Sequence, residues 1–270
     1  MADVADVLAP YRRLLVAQIR SQTQYRLSFA VDLALNATIT VIDVFVLLAV
    51  FRVTPELAGF GLIETLLIAG LAQVAFQLAD LAVGNLERVP FYLRTGLLDA
   101  VLLRPLSAFG QLVVLDFMPR RVGRVVQGAV TYGVALVLSG IDWTVPRVLL
   151  AIVAPIAGAV CYGAIFTAGA ATMFWLVEGG EVVNAFTYGG RDFASYPTPV
   201  YGPWFGRLLG FVLGLAFVGY LPALALLGRA DPLGTPGWLH WCTPVVSVVW
   251  ALVAASAWRV GVRHYQSTGS

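Results

Sequence analysis

The sequence contains no lysine, only two cysteines and two histidines, and few charges of either sign: 12% of its 270 residues are charged, against 59% hydrophobic. Each shortage excludes something. A P-loop needs a lysine on the β- and γ-phosphates, so this chain carries no ATP site of that kind. Cys161 and Cys242 stand in or beside different apolar segments with no motif spacing. They read as small packing residues, not a disulfide framework. His240 and His264 fall near opposite membrane surfaces, and His240 with Cys242 offers two metal ligands, too few for a closed site. His-Glu-x-x-His, Gly-x-Ser-x-Gly and Cys-x-x-Cys are all absent, which removes the usual signatures of metalloproteases, serine hydrolases and thiol oxidoreductases. A net charge of +2 gives no basic footprint for nucleic acid.

The scarcity of charge decides the class. A soluble domain carries about 25% charged residues. With a mean hydropathy of +0.84, too little polar surface remains to face water, and the bilayer is the solvent that accepts the rest. The expected fold is therefore all-α: a polytopic membrane protein with six transmembrane helices over 27–51, 61–84, 122–140, 147–177, 206–228 and 243–260. The third contains Arg124, and the fourth contains Pro155, which predicts a kink or tilt. The polar, Arg-bearing start of the chain does not read as a cleavable signal peptide.

Arginine placement sets the orientation. With both termini in the cytoplasm, fourteen arginines fall inside and only Arg52, Arg147 and Arg229 outside. Trp143, Trp238 and Trp241 then mark outer ends, and Trp175, Trp204 and Trp258 inner ends, where an indole finds both apolar and polar surroundings. Only Trp250 falls mid-span.

Two stretches read as amphipathic. Residues 1–26 place Val4, Val7, Leu8, Tyr11, Leu14, Leu15 and Ile19 at helical spacing, with charges on other faces. This predicts an interfacial helix preceding a transmembrane domain over 27–270. The cytoplasmic loop 85–110 holds the second, a short helix bracketed by Gly96 and Pro105. Leu98, Val101 and Leu102 share one face, with Asp99 near its start and Arg104 near its end, as the helix dipole favours.

Polar residues inside spans are costly and often functional. Asp32, Asn36 and Asp43 share a face of the first span, and Gln73, Gln77 and Asp80 a face of the second. Asp43, Gln73, Gln77 and Asp80 are candidates for a substrate path or a subunit interface; helix–helix adhesion is the plainer reading. Gly206, Gly210 and Gly214 recur every fourth position in span five, a row that lets helices approach closely. The segment 192–204 holds three prolines between aromatics and predicts an ordered turn at the membrane surface.

Two stretches carry a resemblance. Gly96-Leu97-Leu98-Asp99-Ala100-Val101-Leu102-Leu103-Arg104-Pro105-Leu106-Ser107 is similar to the loop after span two in the membrane subunits of ABC-2-type exporters. The stretch from Tyr196-Pro197 through Val200-Tyr201 to Phe217-Val218-Gly219-Tyr220-Leu221-Pro222-Ala223 resembles that family's Tyr-Pro turn and fifth span. Gly214 departs from the pattern, standing where the family carries a proline. The resemblance implies an ATP-driven export permease in the bacterial cytoplasmic membrane. Such a permease pairs with a second permease subunit, identical or different, and with separate ATPase subunits that hold ATP and Mg²⁺. No cofactor is implied on this chain. The helix carrying Leu97, Leu98, Asp99, Val101, Leu102, Arg104 and Pro105 would be the coupling helix, with Leu98, Val101 and Leu102 seated in a groove of the ATPase. The rival readings are an ion-coupled carrier or channel using Asp43 and Asp80, and a membrane scaffold that transports nothing.

Overall fold

The computed structural model describes residues 10, 11, 14–17, 26–176 and 179–265. Among them the chain is helical throughout, with one isolated bridge between Leu57 and Phe60 and no strand. Its helices are α1 (Arg26–Val53), α2 (Leu62–Val83), α3 (Val89–Arg94), α4 (Leu97–Leu102), α5 (Ala108–Leu115), α6 (Arg121–Leu138), α7 (Val145–Thr172), α8 (Gly180–Ala194), α9 (Gly202–Phe205), α10 (Tyr220–Leu227) and α11 (Thr243–His264). A 3₁₀ turn over Gly84–Arg88 links α2 to α3, and a π-helical stretch, Gly206–Val212, continues α9. The predicted helix over 1–26 lies mostly outside the described residues. Those that are described are helical, and the Ser107 N–H donates to the Tyr11 hydroxyl.

Among the described residues, four helical stretches are long and apolar enough to cross a membrane: Ala34–Val53, Leu62–Arg94, Val145–Thr172 and Thr243–His264. A fifth exists if Thr198–Val212 and Leu215–Leu227, which meet at a 73° bend, count as one. The segment expected to be the third span forms the helix α6, 18 residues or about 27 Å long. It falls short of the other four in apolarity because Arg121 and Arg124 occupy its first turn.

Helix α2 is the centre of the bundle, packed along α6 on one side and α7 on the other. Small residues set the first contact. A Cβ on Gly70 would meet the Tyr132 Cα at 3.0 Å, and one on Gly128 would meet the Val74 Cα at 3.1 Å. Each helix thus presents a glycine to the other's backbone. Along this seam Leu67, Ile68, Leu71, Tyr132 and Ala135 are buried with Phe217, Tyr220 and Leu224.

Helix α7 runs unbroken through Pro155. The ring removes the N–H that would bond the carbonyl of Ala151. In hydrocarbon that acceptor needs another donor, and the Tyr132 hydroxyl of α6 supplies one at 3.1 Å.

The predicted fifth span over 206–228 is not one rod. It is interrupted at Gly214, whose φ of 78° lies in the left-handed region that other residues avoid. Trp250 sits against this position, its Nε1 2.7 Å from where a Cβ would be. Upstream, between the predicted fourth and fifth spans, lies the 15-residue helix α8. It starts near Pro90 and ends with the Ala194 carbonyl close to Gly219, which also abuts the Ile68 carbonyl. Since Ile68 lies in the second turn of α2, α8 runs beside most of the length of α2, burying Thr187, Gly190, Phe193 and Ala194 and leaving Val182 and Phe186 exposed.

Candidate functional site

Two sites deserve separate construction: the short helix α4, and a polar cavity between α1, α2, α6 and α8.

Helix α4 begins at Gly96, φ 68°, and stops before Pro105, as its bracketing residues predict. Its orientation differs from the sequence reading. Leu98 and Val101 are 1% and 4% exposed and pack with Leu86, Val89, Leu93 and Leu112 of the chain's own core. The i, i+3 spacing puts Leu98 and Val101 on one stripe, and that stripe attaches the short helix to its body. The outward side chains are Leu97, Leu102 and Leu103, at 46%, 40% and 87% exposure, with Arg104 and Pro105 also exposed. The docking face read from sequence is corrected accordingly. Leu98 and Val101 hold the helix, while Leu97, Leu102 and Leu103 are what a partner would meet. The Asp99 carboxylate lies beside the Tyr265 hydroxyl, where burial and that charge push the phenol's pKa up.

A line of polar contacts ties α4 to the bundle. Gln111 of α5, fully buried, donates from Nε2 to the carbonyls of Val101 at 2.9 Å and Leu106 at 3.1 Å. Asn85 Nδ2 donates to the Val113 carbonyl of the same α5 at 2.7 Å. Arg121 Nη1 of α6 donates to Asn85 Oδ1 at 2.9 Å and to the Asp80 carbonyl at 2.7 Å. The Asp80 carboxylate lies 3.4 Å from Arg121 Nε and 3.1 Å from Arg124 Nη1. Further along, Asp116 at the end of α5 accepts from Arg88 and Tyr92. α4, α5, the start of α6 and the Val83 end of α2 are thereby joined into one body. Asp80, read from sequence as part of a polar path, is instead a fixed counter-ion to two arginines. Beside it, Tyr188 of α8 has its phenol pKa raised by burial and by Glu87.

The cavity has a volume of about 380 Å³, within the size range of small-molecule sites. Asp43 and Leu47 of α1, Gln73 of α2, Thr131 of α6, and Arg191 and Asp192 of α8 line it, with Ser195 and Tyr196 of the following turn. Two predicted path residues, Asp43 and Gln73, therefore meet here, while Gln77 is buried elsewhere on α2 and Asp80 belongs to the arginine cluster. Asn36 is half-buried on α1, and the Asp32 side chain lies outside the described residues. The sequence reading missed Arg191 and Asp192, because three prolines downstream masked α8. Its strong amphipathic pattern, with Thr187, Gly190, Phe193 and Ala194 on one face, was the signal available. Arg191 lies 5.6 Å from the Phe76 ring centroid, and Phe193 stacks on Tyr201 at 4.3 Å. Of the glycines expected to let helices approach, Gly206 closes on Thr198, while Gly210 faces Thr198, Ala216 and Phe193 of α8. A larger groove of about 560 Å³ between α2, α7 and α11 is lined mainly by alanines and other apolar side chains, with Arg259 among them.

At the Leu62 end, Asp231 accepts from Tyr220, Thr235 and the Leu233 N–H. His240 pairs with Thr235 at 3.2 Å, and burial lowers its pKa. Among the described residues no three His, Cys, Asp or Glu side chains converge as metal ligands.

Comparison with known proteins gives the family. No curated protein and no solved structure matches the chain. A family model described as "ABC-2 family transporter protein" matches residues 37–269, a stretch that includes α4 with its clamp, the polar cavity and the broken helix at Gly214; the chain belongs to the ABC-2 transporter family of membrane proteins.

Proposed function

We propose that the chain is one permease subunit of an ATP-driven exporter. It crosses the bacterial cytoplasmic membrane six times with both termini inside. It forms the substrate pathway with a second permease subunit, and separate ATPase subunits hold ATP and Mg²⁺. The observation that carries this reading is the Gln111–Asn85–Arg121–Asp80 line, which makes α4 a rigid extension of α2 and α6. An exposed helix clamped so firmly is suited to transmit force; a helix that merely decorated the surface would not need it.

In this mechanism the ATPase grips Leu97, Leu102 and Leu103, and Arg104 orients the contact. Closure of the ATPase dimer displaces α4. Because α4 is tied to α2 and α6, the cavity wall bearing Gln73 and Thr131 moves relative to α1 and α8. The substrate then meets states of different affinity on the two sides, as pumping requires.

The test is co-purification in mild detergent. The wild-type chain should recover a P-loop ATPase. Leu97→Asp with Leu103→Asp should abolish recovery without lowering the melting temperature, because charges would be driven into an apolar groove. Leu98→Asp should unfold the loop instead. Active transport by a wild-type chain that recovers no ATPase overturns the proposal.

A further inference from the structure

The polar cavity is asymmetric in its hydrogen-bonding capacity. Thr131 donates its hydroxyl proton to the Gln127 carbonyl at 3.1 Å, and Ser195 donates its own to the Arg191 carbonyl at 2.8 Å. Both hydroxyls therefore offer the cavity only oxygen lone pairs. Arg191, the one cation in the lining, is committed elsewhere. Its Nε and Nη2 hold Asp192 Oδ1 at 3.1 and 3.0 Å, and its guanidinium faces the Phe76 ring. Asp43 has no hydrogen bond or ion pair within 4 Å among the described residues. Gln73 and Tyr196 add both donors and acceptors, and with two carboxylates against one guanidinium the lining keeps a surplus of acceptors and of negative charge. The remaining wall is Val44, Val46, Leu47, Leu66 and Ala69.

We infer that this cavity binds an amphipathic organic cation with N–H donors, a protonated amine on an apolar body, with Asp43 as its counter-ion. The ammonium donates to the surplus acceptors and neutralises the surplus carboxylate, and the apolar body covers the aliphatic wall. An anion would meet the carboxylates of Asp43 and Asp192 and find the guanidinium of Arg191 already engaged by Asp192. The assignment rests on the permease reading only in naming this ligand as substrate; the binding preference is measurable on the isolated chain.

The full-length protein in phosphatidylcholine nanodiscs would be titrated with dansylated diaminopentane, a fluorescent primary amine. Its neutral N-acetyl counterpart and the dansylated aminohexanoate anion serve as comparisons. The wild type should bind the amine at least about tenfold more tightly than the neutral twin, and the anion most weakly, because an ammonium beside the Asp43 carboxylate gains Coulomb energy that the neutral twin lacks. Asp43→Asn should bring amine and neutral twin within about twofold, and Asp43→Glu should keep most of the preference. No amine binding, equal affinity for amine and neutral twin in the wild type, or a preference untouched by Asp43→Asn overturns the inference. Recovery of an ATPase by a wild-type chain without the preference would remove the cation assignment and leave the permease reading standing.

Discussion

Replacing Gln111 by leucine isolates the clamp on α4. The side chains are similar in size and the site is fully buried, so packing changes little. What is lost is the pair of donations to Val101 and Leu106. Val101 keeps a weak partner in the Arg104 N–H at 3.4 Å, but Leu106 is left without one. Two ordinary hydrogen bonds with one orphaned acceptor amount to about 2 kcal/mol. That cost falls on local detachment of α4, because α5 keeps its anchor through Asn85. Hydrogen exchange reads it directly. Amides over 97–106 should exchange about thirtyfold faster, with those of α2 and α7 unchanged. In the complex, ATP hydrolysis should persist while transport falls. Unchanged exchange over 97–106, or transport falling in step with hydrolysis, would refute the idea that the clamp carries force.

Asp80→Ala leaves Arg121 buried without its carboxylate and should destabilise the protein by about 3–5 kcal/mol, read as a lower melting temperature in detergent. Arg124→Gln, at a more exposed position, should cost far less, and equal losses would contradict the assigned burial. Gly214→Ala must adopt a left-handed conformation and meet Trp250. A loss of more than about 1 kcal/mol is expected, with partial recovery on adding Trp250→Phe; a wild-type melting temperature would show that the break does not need glycine. His240 is held neutral by burial. The unfolded state therefore takes up a proton that the folded state resists. Its contribution is whole above about pH 6.5 and declines as pH falls through the lowered folded value. His240→Gln should flatten that part of the profile, and an identical acid limb in the mutant would remove His240 as its source.

Much of this architecture is legible in the sequence, for reasons that can be named. Helices α1, α2, α7 and α11 announce themselves by length and apolarity, and α4 by Gly96 and Pro105. Which side of α4 faces outward is not readable, because Leu97, Leu98, Val101, Leu102 and Leu103 are all apolar and only the tertiary context chooses among them. Arg121 looks like a surface residue beside Arg120 in sequence, yet the fold turns it inward onto Asp80. Asp43 stands out from hydropathy alone. Its companions Arg191 and Asp192 do not, since nothing local says that a helix after the fourth span packs back along α2. The break in span five is foreshadowed only by Gly214 standing where the family resemblance implies a proline. Either residue interrupts a helix, but by different means: one removes a donor, the other tolerates a turn that side chains forbid.

The proline in α7 has a consequence for how this bundle holds its shape. In water, a carbonyl stripped of its axial donor would simply be hydrated. Surrounded by lipid, it becomes an adhesive spot that only a neighbour with a hydroxyl at the same height can occupy. Sliding α6 by one turn would carry Tyr132 about 5.4 Å away and leave the oxygen bare. What reads as a flaw in one helix therefore works as a depth gauge between two, fixing how far α6 sinks beside α7.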